Sequence, residues 1–228
     1  MDIVYTYCFT PHQGNKQLIY SLRSVEKYLT GNIGKVYIIG DDPELQNVIH
    51  IPATNLKSAA INIKDKLLIA CNTAEITDDF LYMADDHFLL RPDDIETYPV
   101  YSNGKLYDLS RTQRGSYKMV VQETMRYLPN GKNYNIHAPI IYNKEKLMDI
   151  IEETDWQPLG LLIKSLYCNR LELAGRESPD CKISRDMSIV EMRSRIAGRA
   201  VFSTGREYRI RQLKQFMEEL YPIKSKYE

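Results

Sequence analysis

The stretch from Phe80 to Pro92 sets the tightest limit on how this chain can fold. An apolar run of strand length, Phe80–Met83, leads through Ala84 into two adjacent carboxylates, Asp85 and Asp86, and then a histidine, His87. A second apolar run, Phe88–Leu90, follows and is broken by Arg91 and Pro92. A strand of this kind is expected to be buried, and carboxylates at its end are expensive to bury unless they are paired or bound to a cation. The competing reading is an acidic turn in solvent, because turns favour Asp.

The segments before it read as alternating strands and helices. Ile3–Cys8 is rich in β-branched and aromatic residues and predicts a buried first strand. Leu18, Leu22, Val25 and Leu29 recur at helical spacing over Gln17–Leu29, and Val36–Gly40 is a second continuous apolar run. Strand, helix, strand at this spacing is a βαβ unit, which implies parallel pairing. Val48–Pro52 predicts a short third strand, and Ile63, Leu67, Leu68 and Cys71 mark a helix over residues 61–74. After Pro92 the pattern loosens. Asn103-Gly104 suggests a hairpin within Tyr98–Tyr107, Lys118–Tyr127 a helix, and Tyr134–Tyr142 a strand carrying His137. Lys144–Glu153, Leu159–Leu171 and Ile210–Leu220 read as helices. The expected architecture is α/β: a mixed, mostly parallel sheet with helices on both faces and a helical C-terminal part.

A length of 228 residues suits one domain with a sizeable core. Formal net charge is zero, so the whole molecule offers no electrostatic pull toward nucleic acid or membrane. That balance hides an asymmetry. Residues 41–100 carry 12 acids against 4 bases, and residues 181–228 carry 11 bases against 6 acids. An acidic centre and a basic tail suit a site that binds both a metal and phosphates. The chain is read as one domain in two halves, residues 1–95 and 96–228, the second carrying the basic tail. Cys8, Cys71, Cys168 and Cys181 are scattered without a CxxC pair, which argues against a zinc site or disulfide framework and for a reducing, cytoplasmic compartment. The N-terminus shows no signal-peptide pattern, and no apolar stretch approaches the ~20 residues that span a bilayer. Oligomeric state is open.

Adjacent carboxylates allow one to ligate a metal while the other ligates it too or holds a ribose or water. Asp86 is the first-choice metal ligand and Asp85 the second, with His87 and His137 as further candidates. Carboxylate and phosphate oxygens suit a hard cation, Mg²⁺ or Mn²⁺, and an imidazole ligand favours Mn²⁺. His137 is equally well read as a satisfied core histidine. Thr10, in the loop after the first strand, and Asp41, after the second, lie where open α/β sheets bind ligands.

At Phe80–Leu89 the chain resembles the DxD-type motif of nucleotide-sugar glycosyltransferases of the GT-A fold, closest to the Stealth-type and capsular-polysaccharide sugar transferases. Tyr20–Leu29 with Val36–Asp41 is similar to the first Stealth block. Asn62–Lys66 and His137–Pro139 are similar to segments upstream and downstream of the acids. Where that group has Asn before the paired acids, this chain has Ala84. The resemblance implies transfer of a sugar from a nucleoside-diphosphate sugar to a hydroxyl acceptor, with a divalent metal and with Asn62 and Lys66 near the donor diphosphate. Stealth proteins are expected to move a sugar 1-phosphate instead. A glycan is the expected acceptor; a modified DNA base, or a binding module without turnover, are the other readings. Asp180, or else Glu172, is the candidate base on the acceptor hydroxyl. Seven arginines between Arg185 and Arg211 could grip phosphate, with Arg206 the loop candidate at the diphosphate. Arg23 reads equally as a salt-bridge or phosphate residue.

Overall fold

The structure is a computed structural model that describes residues 1–11, 14–183, 187–205 and 211–228. The first half is β1 (Asp2–Tyr7), α1 (Lys16–Tyr28), β2 (Leu29–Thr30), β3 (Val36–Gly40), β4 (Ile49–Pro52), α2 (Ala59–Asn72), β5 (Asp79–Ala84) and β6 (Phe88–Leu89). The second is β7 (Asp93–Asp94), β8 (Tyr101–Ser102), α3 (Leu106–Thr112), α4 (Gly115–Tyr127), β9 (Ile140–Asn143), α5 (Lys144–Glu152), α6 (Ile163–Arg170), β10 (Arg176–Glu177), β11 (Lys182–Ile183), α7 (Ile189–Ile196), β12 (Val201–Thr204) and α8 (Arg211–Leu220).

The central sheet has the order β4-β3-β1-β5-β9, parallel except for β9, which runs antiparallel to β5. Period-two alternation along β1 divides the core. Ile3, Tyr5 and Tyr7 face Leu18, Leu22 and Val25 of α1, while Val4 faces the layer of Leu67, Leu147 and Leu166 from α2, α5 and α6. With both faces covered, strand residues are apolar in unbroken runs, as the sequence suggested. The expected α/β architecture is therefore the observed one. Because β1, β3 and β5 are parallel, their carboxyl ends share one edge of the sheet, where such folds take ligands.

Past Leu90 the structure departs from expectation. No hairpin forms over Tyr98–Tyr107: Tyr101–Ser102 pairs in parallel with Arg176–Glu177, and the turn at Gly104 leads into α3. Within the segment 134–142 the strand β9 begins only at Ile140, so His137 lies on irregular backbone. The helix expected over Leu159–Leu171 shortens to α6, because Gly160 takes a left-handed φ of 83° against Ala60 of α2. The C-terminal part is not purely helical. Its β12 pairs antiparallel with β6 and parallel with β11, and Phe202 and Phe216 pack around Phe88 in a third core cluster. The tail thus closes directly over the residues that follow the acid pair.

Candidate active site

Asp85 and Asp86 are the two central residues of a β-turn that ends β5. The His87 N–H donates to the Ala84 carbonyl at 3.1 Å, and the Ala84 N–H donates back to His87 Nδ1 at 3.2 Å. Helix α1 braces this turn from below. Tyr5 OH and Ser21 Oγ lie 2.9 Å apart, Ser21 Oγ donates to the His87 carbonyl at 2.6 Å, and the Leu89 N–H donates to Ser24 Oγ at 3.0 Å. The two serines of the Tyr20–Leu29 segment therefore set the height of the acid pair above the sheet.

Both acids face a cleft of about 700 Å³ at the carboxyl edge of the sheet, within the size range of ligand pockets. The turn reading and the buried reading are reconciled: it is a turn, but one that faces the cleft. Burial, and then the charge of Asp86, raise the Asp85 carboxyl; burial also raises Asp86, against the pull of His137 and Lys182. Two neighbouring carboxylates that resist ionising together make a site that favours a cation.

His87 is 3 % exposed, and burial, then Lys164 and His137, hold its pKa well below the usual imidazole range. Its Nδ1 accepts a backbone hydrogen, so the ring proton sits on Nε2 and neither nitrogen offers a free lone pair. His87 is thus a neutral clasp of the turn, not an open metal donor. Among the described residues no group of three or more His, Cys, Asp or Glu side chains is gathered closely enough to hold one ion.

On one side of the cleft, Lys66 reaches under the loop after β1. Its Nζ donates to the Tyr7 carbonyl and to Asn55 Oδ1, both at 2.5 Å, and burial lowers its pKa against the fields of Cys8, Asp41 and Asp85. Thr10 lines the cleft, where its carbonyl accepts from the Gly14 N–H at 2.9 Å. Asn62 also lines it, with its amide tied to both backbone groups of Lys57. Asp41 does not line the cleft. Its Oδ2 accepts from the Phe9 N–H at 2.7 Å and from Asn55 Nδ2 at 2.9 Å, a brace between two loops.

On the opposite side, His137 is unusually well held. Its backbone N–H donates to Asp180 Oδ1 at 3.0 Å, and its Nδ1 faces Asp180 Oδ2 at 2.8 Å. The carbonyls on either side of it, Ile136 and Ala138, accept from Lys164 Nζ at 2.8 and 2.5 Å. With Nδ1 carrying the proton, the Nε2 lone pair points at Lys182 Nζ, 3.1 Å away, and that ammonium lies 4.0 Å from Asp86 Oδ2. Burial would raise the Asp180 carboxyl, but the hydrogen bonds from the His137 ring and backbone, with the charge of Lys182, outweigh it and hold it below the usual range. Asp180 stands behind His137 and does not line the cleft, so it orients the imidazole and is badly placed to act as the base.

Glu172 is not brought to the site. It is exposed, in a left-handed conformation (φ 51°) just after α6. Arg206 lies outside the described residues, as do Arg185 and Arg209. Arg23 is committed to Glu228, with Nε–Oε1 and Nη2–Oε2 distances of 2.7 and 2.6 Å, which pins the C-terminus to α1. Arg193 pairs with Glu219 at 2.7 Å. Lys164 and Lys182 are charged cleft residues that sequence reasoning missed. A lysine inside the apolar run Leu161–Leu166 was a signal for Lys164; nothing local marks Lys182.

No protein-family model matches the chain, and no curated protein does. Among solved structures, the galactosyltransferase LgtC in complex with donor and acceptor sugar analogues is similar over 99 % of this chain and 97 % of that one, with a TM-score of 0.51 and 12 % identity. An active-site mutant of LgtC matches over 96 % and 95 %, with a TM-score of 0.50 and 13 % identity. The likeness is one of fold: the described residues share the GT-A-type fold of those structures. Among the described residues no helix is long and apolar enough to cross a membrane.

Proposed function

We propose that the chain is a nucleotide-sugar glycosyltransferase that moves a sugar from a nucleoside-diphosphate donor to a hydroxyl acceptor. The observation that carries this reading is the acid pair at the carboxyl end of β5, turned into a nucleotide-sized cleft between Lys66 on one side and Lys182 on the other. The fold it shares with LgtC, a galactosyltransferase, supports the same reading.

The donor set fits a hard divalent cation. Asp85 and Asp86 supply oxygens, and burial raises both carboxyls, with the charge of Asp86 adding to the rise at Asp85, whereas His87 is closed by the Ala84 N–H. Mg²⁺ or Mn²⁺ held there would neutralise charge that develops on the departing diphosphate. The chain's own groups do the rest. Lys66 fixes the loop after β1 that borders the donor. Lys182 and the buried Lys164 add positive charge on the acceptor side, in a low-dielectric cleft where it counts most. His137, oriented by Asp180, presents a lone pair on the cleft wall.

The test is thermal stabilisation by uridine, guanosine, adenosine and cytidine diphosphates, each with and without Mn²⁺, on the wild type and on Asp86→Ala. One diphosphate should raise the melting temperature with metal present, and the variant should lose the effect. If none stabilises the wild type in any combination, the reading fails. Turnover of the matching donor then separates two chemistries: diphosphate release marks glycosyl transfer, and monophosphate release marks the Stealth-like transfer of a sugar 1-phosphate.

A further inference from the structure

We infer that Lys182 is a built-in counter-ion of Asp86 that competes with the divalent cation and hands its place over only when a diphosphate arrives to take the ammonium. This deepens the glycosyltransferase reading and rests on it.

The ammonium sits between two acceptors. Asp86 Oδ2 is 4.0 Å from Nζ, and His137 Nε2 is 3.1 Å from it. The imidazole can accept only because Asp180 holds the other nitrogen as the donor, and Asp180 in turn is fixed by the His137 N–H. Lys164 clamps the carbonyls flanking His137, so the imidazole cannot retreat from the lysine. The groups around Nζ are therefore Asp86, His137 and, behind them, Asp180 and Lys164. Their arrangement gives a single positive charge a defined seat next to the carboxylate.

That seat conflicts with a divalent ion on the same carboxylate. A cation bound by Asp86 would lie within a few ångströms of Nζ, and like charges at that range repel strongly inside a cleft. Lys182 is free to leave: its side chain is 35 % exposed, on the two-residue strand β11, whereas Lys66 is 3 % exposed and locked by a carbonyl and an amide. A diphosphate in the cleft offers the ammonium anionic oxygens in exchange for Asp86. Metal and diphosphate should then bind with positive coupling, each raising the affinity of the other by the same factor. The metal alone should bind weakly.

The test uses Mn²⁺ alone, with the free ion followed by electron paramagnetic resonance, on full-length wild type, Lys182→Met, Lys182→Gln and Lys182→Arg. Melting temperature and circular dichroism verify that each variant is folded. Removal of the competing charge should tighten Mn²⁺ binding by about tenfold in both neutral variants, in the usual range of coupling between sites. Lys182→Arg, which keeps the charge, should stay near the wild type. In the neutral variants the same four diphosphates should bind less well and enhance Mn²⁺ affinity less than in the wild type. The proposal is overturned if neither neutral variant binds Mn²⁺ more tightly than the wild type, or if Lys182→Arg tightens it equally. Diphosphate binding to the wild type separates the two ideas. If diphosphates bind and the neutral variants behave as wild type, only the role of Lys182 falls; if none binds, the glycosyltransferase reading falls with it.

Discussion

Two lysines flank one pair of carboxylates, and they are held in opposite ways. Lys66, beside the loop after β1, is buried and spends its hydrogen bonds on the Tyr7 carbonyl and the Asn55 amide, groups that carry no net charge and do not titrate. Gly40 packs so closely that a side chain there would meet both the Tyr7 carbonyl and Lys66 Nζ. Lys182, on β11 across the cleft, is a third exposed and is held by a carboxylate and an imidazole, groups that other partners can claim. The first is structural charge, present whether or not a ligand is bound. The second is transferable charge.

The contrast can be broken most severely at Gly40. Its φ of 142° and its contact with Tyr7 leave no room for a Cβ, so Gly40→Ala should lower stability by about 3 kcal/mol through strain and overpacking, read by urea unfolding. Lys66→Met comes next. It strands a buried carbonyl, and a loss of roughly 2 kcal/mol is expected in the same assay, together with weaker diphosphate binding. Wild-type stability in that variant would mean that the Lys66 hydrogen bonds are dispensable.

Lys164 sharpens the comparison through pH. Burial lowers its pKa from 10.5 to about 8, against the fields of Cys168, Asp180 and Asp86. The unfolded chain therefore binds more protons than the folded one between those values, and stability due to this group should rise as pH climbs from about 8 to 10.5. Unfolding free energies of wild type and Lys164→Met across that range should diverge in the wild type's favour; parallel curves would refute the shift. The smallest effect is expected at Lys182. Lys182→Met should change stability by less than about 0.5 kcal/mol, as for an exposed ion pair, while altering metal binding as described above. A large stability loss would make Lys182 structural like Lys66 and erase the distinction.

Much of the first half was legible in the chain itself. Val36–Gly40 is strand to the residue, α1 and α2 fall within two residues of their expected bounds, and the acid pair stands at the end of β5. These elements follow local rules, since strands buried on both faces must be continuously apolar and helices must repeat their apolar face. Thr10, Asn62, Lys66, Asp85, Asp86, His87 and His137 do reach the cleft wall, while Asp41, Asp180 and Glu172 do not. The second half was harder. Strands such as β8, β10 and β11 are two residues long and leave no periodicity to read. The segment 134–139 is apolar like a strand, yet side chains of Asp180 and Lys164 bind its backbone in place of a ladder.

What the sequence determined alone is the alternating order of strands and helices and the placing of two acids at a strand end, because burial pattern and chain breakers act over a few residues. What only the tertiary structure decided is which charges meet those acids. His137 finds Lys182 across 45 residues and Asp180 across 43, and Asp86 finds Lys182 only because β11 and β12 are carried back beside β6. Contacts between such distant positions leave no mark on their neighbours in the chain, since they are fixed by the path of the backbone and not by any local pattern.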